Sequence, residues 1–285
     1  MIKNNQYTLG LYEKAMPNDL TIFEKLKAAK SAGFDFMEIS IDETDEKLLR
    51  LEWSDKEKQS VINDMFNAGI RIETMCLSGH RKYPLGSEDI EIRTCGVEIM
   101  RQAIDLAACV GIRIIQIAGY DEYYNPTTIN TVRNFAENLR KSVDYAALKG
   151  VILAFETMET KFMNTVFKAM MHVREINSPY LQIYPDLGNI TNAALQYDYC
   201  ILSDIDSGRG HIAAMHLKET LPGKFREIPY GTGHVNFSEA IQAAYKMGVR
   251  RYVGEFWYTG NRDWREQLIF ANKFLRKAFI KAIGE

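Results

Sequence analysis

Apolar and polar positions switch between two regimes along the chain. Segments with apolar residues at helical spacing end in glycine, and a short, nearly continuous apolar run begins at once. This happens at Ala32-Gly33 before FDFMEIS, Ala68-Gly69 before IRIETMCL and Val110-Gly111 before IRIIQIAG. It recurs at Lys149-Gly150 before VILAFE and at Met247-Gly248 before VRRYVGEF. Glycine directly after a helix takes the left-handed cap conformation without a Cβ clash. The runs that follow are rich in Ile, Val and Phe, as expected of strands buried on both faces of a parallel sheet. Three further runs, YTLGLYE, LQIYPD and IAAMHLKE, bring the number to eight, with starts near residues 7, 35, 70, 112, 151, 181, 212 and 251.

The spacing of about 30 to 40 residues is that of a βα unit, and eight such units predict a (β/α)8 TIM barrel, an α/β fold formed by one domain over residues 1–285. A doubly wound open sheet fits less well, because YEKAMPNDL after the first strand is not a glycine-rich phosphate loop. Ser87 is the expected N-cap of the helix in SEDIEIRTCGVEIMRQAIDLAACVG. Phe167, Met170 and Met171 are expected in the core, and His172 beside them at the surface. The longest irregular segment, about Lys218 to Asn236, follows the seventh strand on the face where barrel active sites lie.

Composition narrows the function. The 285 residues are 46% apolar and 25% charged, with 35 basic against 37 acidic side chains. This is an ordinary globular chain without a basic block, so neither nucleic acid nor an anionic membrane is an expected partner. MIKNNQYTLG has no apolar stretch after its lysine, and no run approaches membrane-span length, so a cytoplasmic location is expected. Cys76, Cys95, Cys109 and Cys200 show no C-x-x-C spacing and read as reduced, buried thiols.

A barrel sends the last residue of each strand to its catalytic mouth. Strands five to eight end in Glu156, Asp186, His216 and Glu255, separated by 30, 30 and 39 residues. Each alone has an ordinary explanation, such as a helix cap or a satisfied core histidine. Together they form a ligand set for one divalent ion, Mg²⁺, Mn²⁺ or Zn²⁺. Such an ion can hold a carbonyl oxygen and a neighbouring hydroxyl and stabilise an enediolate. Glu156 and Glu255, the outer members, are then the candidate acid/base pair, and the chemistry is epimerisation or aldose–ketose isomerisation of a sugar. His80, Arg81 and Lys82 after the third strand, or Lys218 and Arg226 in the seventh loop, are candidates for holding a substrate phosphate. Tyr12, Glu13, Lys14, Glu38, Asp42, Tyr120 and Asp121 also lie at strand ends. His234 is not expected to be a ligand.

The segments GLYEKAMP, GFDFMEISIDETDE, MCLSGHRKYPLGSED, GIRIIQIAGYDEYY, YPDLGN, AAMHLKET, FREIPYGTG and GEFW resemble the xylose-isomerase-like barrel family over nearly the whole chain. Within it they resemble the branch that epimerises 5-phosphorylated pentuloses at C3. That resemblance puts the metal ligands on Glu156, Asp186, His216 and Glu255 and the acid/base roles on Glu156 and Glu255. It implies Zn²⁺ or Mn²⁺ and a homodimer or larger assembly. It also implies that L-ribulose 5-phosphate and L-xylulose 5-phosphate interconvert through a cis-enediolate. Asn189 stands where relatives acting on unphosphorylated sugars carry histidine. An aldose–ketose isomerase of the hexulose-6-phosphate type is the alternative. A phosphodiesterase on this barrel would call for more metal ligands, and a catalytically silent sensor would lack one of the two glutamates.

Overall fold

The computed structural model describes residues 7–284. Residues 1–6, and with them most of the segment read above for a leader, lie outside the described residues. Eight parallel strands alternate with helices. The strands are β1 Thr8–Tyr12, β2 Phe36–Ile41, β3 Arg71–Leu77, β4 Ile114–Ala118, β5 Ile152–Glu156, β6 Leu181–Ile183, β7 Met215–Leu217 and β8 Arg251–Gly254. Around them lie α1 Ile22–Ser31, α2 Asp45–Leu48, α3 Asp55–Ala68, α4 Ile90–Val110, α5 Ile129–Lys149, α6 Val166–Ile176, α7 Leu187–Tyr197, α8 Ile201–Ser207, α9 Phe237–Lys246 and α10 Trp264–Ile283.

The strand order β6-β5-β4-β3-β2-β1-β8-β7 leaves β6 and β7 at the two ends of the sheet. Parallel bridges Ile183–Ile212 and Asp186–His216 join those ends and close the barrel. Both strands are shorter than their apolar runs. Pro185 interrupts the sixth because it has no N–H to donate, and its carbonyl instead accepts the His216 N–H at 3.0 Å.

All five helix-ending glycines lie at positive φ, between 65° and 97°. The helix starts follow side-chain capping: Thr21 with Glu24 and Ser54 with Glu57 form capping boxes for α1 and α3. The cap of α4 differs from expectation. Asp89 accepts from the N–H groups of Glu91 and Ile92 at 2.8 and 3.3 Å. Ser87 is buried, and its carbonyl takes the Arg93 guanidinium and the Asn134 amide.

The main core lies between sheet and helices. A second cluster, including Phe36, Ile114, Ala154, Tyr184, Ala214 and Val253, fills the inside of the barrel. There a Cβ on Gly10 would fall 2.4 Å from the Phe36 ring, so glycine makes room for the aromatic plug. Of the α6 residues expected inside, Met170 is buried, but Phe167 and Met171 are exposed, being on the outer face of the helix. His172 is half-buried, its ring packed among the Phe135, Phe155 and Phe162 rings at 5.6–5.8 Å. Cys76 is buried and Cys95 partly so, whereas Cys109 and Cys200 are exposed; all four are free thiols. Among the described residues, no helix is long and apolar enough to cross a membrane.

Candidate metal centre and substrate cleft

Glu156 ends β5, Asp186 opens α7, His216 lies in β7 and Glu255 follows β8. Four consecutive elements of the barrel wall thus deliver four polar side chains to one place. One ligand atom from each lies within 4.8 Å of the others, and all four residues are buried. His216 Nδ1 is 3.1 Å from Glu255 Oε2 and 3.6 Å from Glu156 Oε1. Asp186 serves twice: Oδ1 caps α7 by accepting the Asn189 N–H at 2.6 Å, while Oδ2 points into the cluster.

Asp186 Oδ2, His216 Nδ1 and Glu255 Oε2 are buried without a hydrogen-bond partner. Polar atoms left this way cost a few kcal/mol each unless a ligand satisfies them. Three such atoms converge here, two from carboxylates and one from imidazole, which is the donor set of a divalent cation. Burial, reinforced by the charge of Glu255 and opposed by Lys218, pushes Asp186 well above the usual carboxylate range. Glu255 goes the other way, because Lys218 and His216 outweigh its burial. Burial alone would lower the His216 proton affinity, but Glu38 and Glu255 raise it well above normal. The centre thus has an excess of negative charge that a cation would relieve.

Glu38 explains how the imidazole is oriented. It is fully buried inside the barrel, and its Oε1 accepts the His216 Nε2–H at 2.6 Å. Its Oε2 accepts from Thr74 and Tyr184 hydroxyls at 2.8 and 2.9 Å. A carboxylate at Nε2 keeps the proton there, so a cation that displaces the second proton would find the Nδ1 lone pair, the usual support of a metal-binding histidine. Glu38, expected at a strand end, lies inside β2, and its pairing with His216 spans 178 residues and needs the closed barrel to appear.

The cleft above the centre is lined by Glu156, Glu255 and Asn189, by Lys218, Arg81 and Arg226, and by the Tyr12 and Trp257 rings. Lys218 Nζ sits 3.3 Å from Asp186 Oδ1 and 3.6 Å from Glu255 Oε2. Asn189 donates its amide to the Thr157 carbonyl at 2.7 Å, and its own side-chain oxygen is buried and unpartnered.

The basic triplet splits. Only Arg81 reaches the cleft. His80 turns inward, its Nε2 on the Gly96 carbonyl at 3.0 Å. Burial outweighs that hydrogen bond and lowers its pKa to about 4, so the ring is neutral at pH 7. The loop packs closely on α4 at Gly96, where a Cβ would lie 2.3 Å from the Tyr83 carbonyl. Lys82 is exposed outside the cleft, its ammonium 5.2 Å from the centre of the Tyr83 ring.

The long seventh loop is ordered by a buried acid. Glu219 accepts the N–H groups of Gly231 and Val235 at 3.0 and 3.1 Å, and Tyr230 donates its hydroxyl to the Leu217 carbonyl at 2.5 Å. His234 bonds the Thr220 hydroxyl at 3.0 Å and stays out of the metal centre. The loop brings Arg226 to Glu159, 2.9 Å away. The only sequence signal of Glu159 is its place three residues after Glu156, on the catalytic face.

A family model described as xylose isomerase-like TIM barrel matches residues 26–277. The chain belongs to this family. Within it, the chain is 40% identical over 280 residues to L-ribulose-5-phosphate 3-epimerase UlaE of Shigella boydii serotype 18, covering 98% of this chain and 97% of the relative. The same protein of Escherichia coli strain SE11 matches with the same identity and coverage. Among solved structures, the D-allulose 3-epimerase of Methylomonas sp. shares the fold with a TM-score of 0.77 at 17% identity, covering 96% of this chain and 98% of that one. An L-ribulose 3-epimerase superposes with a TM-score of 0.74 at 18% identity, covering 97% of each chain. This family member therefore carries a buried carboxylate–histidine quartet at the mouth of its barrel, and a cleft with arginines at its rim.

Proposed function

We propose that the protein is a divalent-metal-dependent 3-epimerase that interconverts L-ribulose 5-phosphate and L-xylulose 5-phosphate. The observation that carries this reading is the convergence of Glu156, Asp186, His216 and Glu255, the last three with buried donor atoms that have no hydrogen-bond partner. The relatives at 40% identity, named for this reaction, support the choice of substrate. Those four residues would hold the ion, Zn²⁺ or Mn²⁺, both of which accept this oxygen-rich set with one imidazole. When bound, the ion supplies charge stabilisation for the two oxygens of an enediolate.

Glu156 and Glu255 stand on the outer strands of the quartet, so each addresses the substrate from its own flank. One takes the C3 proton as general base and the other returns a proton to the opposite face of the carbon, which inverts C3. The roles exchange in the reverse direction. Lys218 keeps Glu255 ionised and ready to accept a proton. Asn189 offers its free side-chain oxygen to a substrate hydroxyl, and Tyr12 and Trp257 wall the cleft against water. Glu38 holds His216 in register for the ion. We also infer one domain for the whole chain, a cytoplasmic location, a homodimeric or larger assembly, and a small ketose phosphate as the only partner class, without nucleic acid or membrane.

Stripping the enzyme with a chelator and dialysing the chelator away tests the reading. The expected outcome is loss of L-xylulose 5-phosphate formation from L-ribulose 5-phosphate, with recovery on adding Mn²⁺ or Zn²⁺. Full turnover by protein shown to be metal-free would remove the ion from the mechanism.

A further inference from the structure

At the outer end of the cleft, Arg81 from the third βα loop faces a group on the fifth and seventh loops, Glu159 and Arg226. The Arg81 guanidinium stacks on the Tyr123 ring at 4.6 Å. Its Nε is buried without a hydrogen-bond partner, and no carboxylate pairs with it within 4 Å among the described residues. Arg226 and Tyr123 both donate to one oxygen, Glu159 Oε1, at 2.9 and 3.1 Å. Arg226 is held as a cation against its burial by Glu159, while the Arg81 charge opposes it. Arg226 therefore holds Glu159, while Arg81 beside it has no carboxylate of its own. The other cations of the cleft are matched: Lys14 by Asp42 at 2.5 Å, and Lys218 by Asp186 and Glu255.

We propose that Arg81 and Arg226 form the phosphate-binding end of the cleft, and that Glu159 is an internal anion displaced from Arg226 when a phosphate enters. A phosphate dianion brings three acceptor oxygens to two planar donor forks, a better match in charge and geometry than a single carboxylate. The exchange is easy because the Arg226–Glu159 pair is partly open to water, with side-chain exposures of 41% and 22%; such pairs hold weakly. Tyr123 serves both states: it stacks on Arg81 throughout, and its hydroxyl follows whichever anion is present. The backbone supports the arrangement at Glu227, next to Arg226, which takes φ 60°, a conformation costly for a residue with a Cβ. The loop is thereby turned so that Arg226 faces the cleft.

This assignment rests on the proposed function only for the identity of the natural ligand. Its test uses inorganic phosphate, titrated calorimetrically into the metal-loaded enzyme at low salt. Arg226→Gln and the milder Arg81→Lys are each expected to weaken phosphate binding about ten- to hundredfold, the loss of charged hydrogen bonds. Glu159→Gln is expected to tighten it about two- to fivefold, by removing the competing anion. In turnover, the arginine variants should raise KM for the ketose phosphate with kcat largely kept. Phosphate affinity unchanged in both arginine variants, or absent in the wild type, overturns the site. Weaker or unchanged binding by Glu159→Gln overturns the displacement. Phosphate binding that follows the arginines in a protein that epimerises no ketose phosphate would uphold the clamp while removing the proposed reaction.

Discussion

Replacing Glu156 or Glu255 with glutamine is expected to lower kcat by about 10²- to 10⁴-fold, the usual contribution of a positioned acid or base. Glutamine keeps the shape of the side chain but neither accepts nor returns a proton at C3. It also donates a single neutral oxygen to the ion, so part of the loss can come from weaker metal binding. Metal content measured on the same preparations separates the two: a variant that retains its ion yet does not turn over has lost proton transfer. KM should change little where the ketose phosphate is held by other groups. The double variant should be scarcely worse than the poorer single one, because two residues that act on one carbon as a unit are not additive. A glutamine variant with its ion bound and kcat within a fewfold of the wild type would remove that residue from the acid/base pair.

Glu13→Gln is expected to destabilise the fold by about 3 to 5 kcal/mol, the scale for breaking a buried ion cluster by removing one partner. Glu13 is fully buried after β1, with Lys47 at 2.6 Å, Arg50 at 2.7 Å and Lys25 at 3.4 Å. It also accepts the Ser40 N–H at 3.1 Å, tying the ends of β1 and β2 together. Without its charge, three cations are left facing one another out of water. Burial alone would raise the Glu13 pKa from its ordinary 4.5, but Arg50, Lys25 and Lys47 bring it down to about 2. A carboxylate depressed in the folded state contributes stability above its unfolded value. That contribution, about 3 kcal/mol, is lost as the pH falls from about 4.5 towards 2. Denaturant titrations of wild type and variant at pH 7 and pH 3 check both statements: the gap between them should narrow at the lower pH. An equal gap at both would show that Glu13 acts by packing and not by charge.

The barrel is legible in the sequence because two strong local signals repeat together. The glycine cap needs a left-handed residue at each helix end, and the strand after it is buried on both faces, so its apolar run is hardly interrupted. The metal quartet is legible for the same reason, since Glu156, Asp186, His216 and Glu255 break those runs at their carboxyl ends. What does not show is anything set by contacts between distant units. Glu38 meets His216 only through the closed barrel. Glu159 acquires its meaning from Arg226, 67 residues away. His80 looks like one of three cations in HRK, yet its ring turns inward onto a backbone carbonyl of the following helix. Phe167 and Met171 look like core by composition, but the helix presents them outward, since only one stripe of α6 meets the sheet.

The proposed epimerisation turns on proton exchange at C3 of a ketose phosphate. Proton NMR of L-ribulose 5-phosphate with the metal-loaded enzyme in D₂O tests it most directly. Two glutamates on opposite flanks predict solvent deuterium at C3 of L-xylulose 5-phosphate as it appears, with C1 keeping both its protons. Deuterium at C1 with an aldose product would make the protein an isomerase acting between C1 and C2. Conversion with no deuterium at C3 would contradict exchange through the two carboxylates.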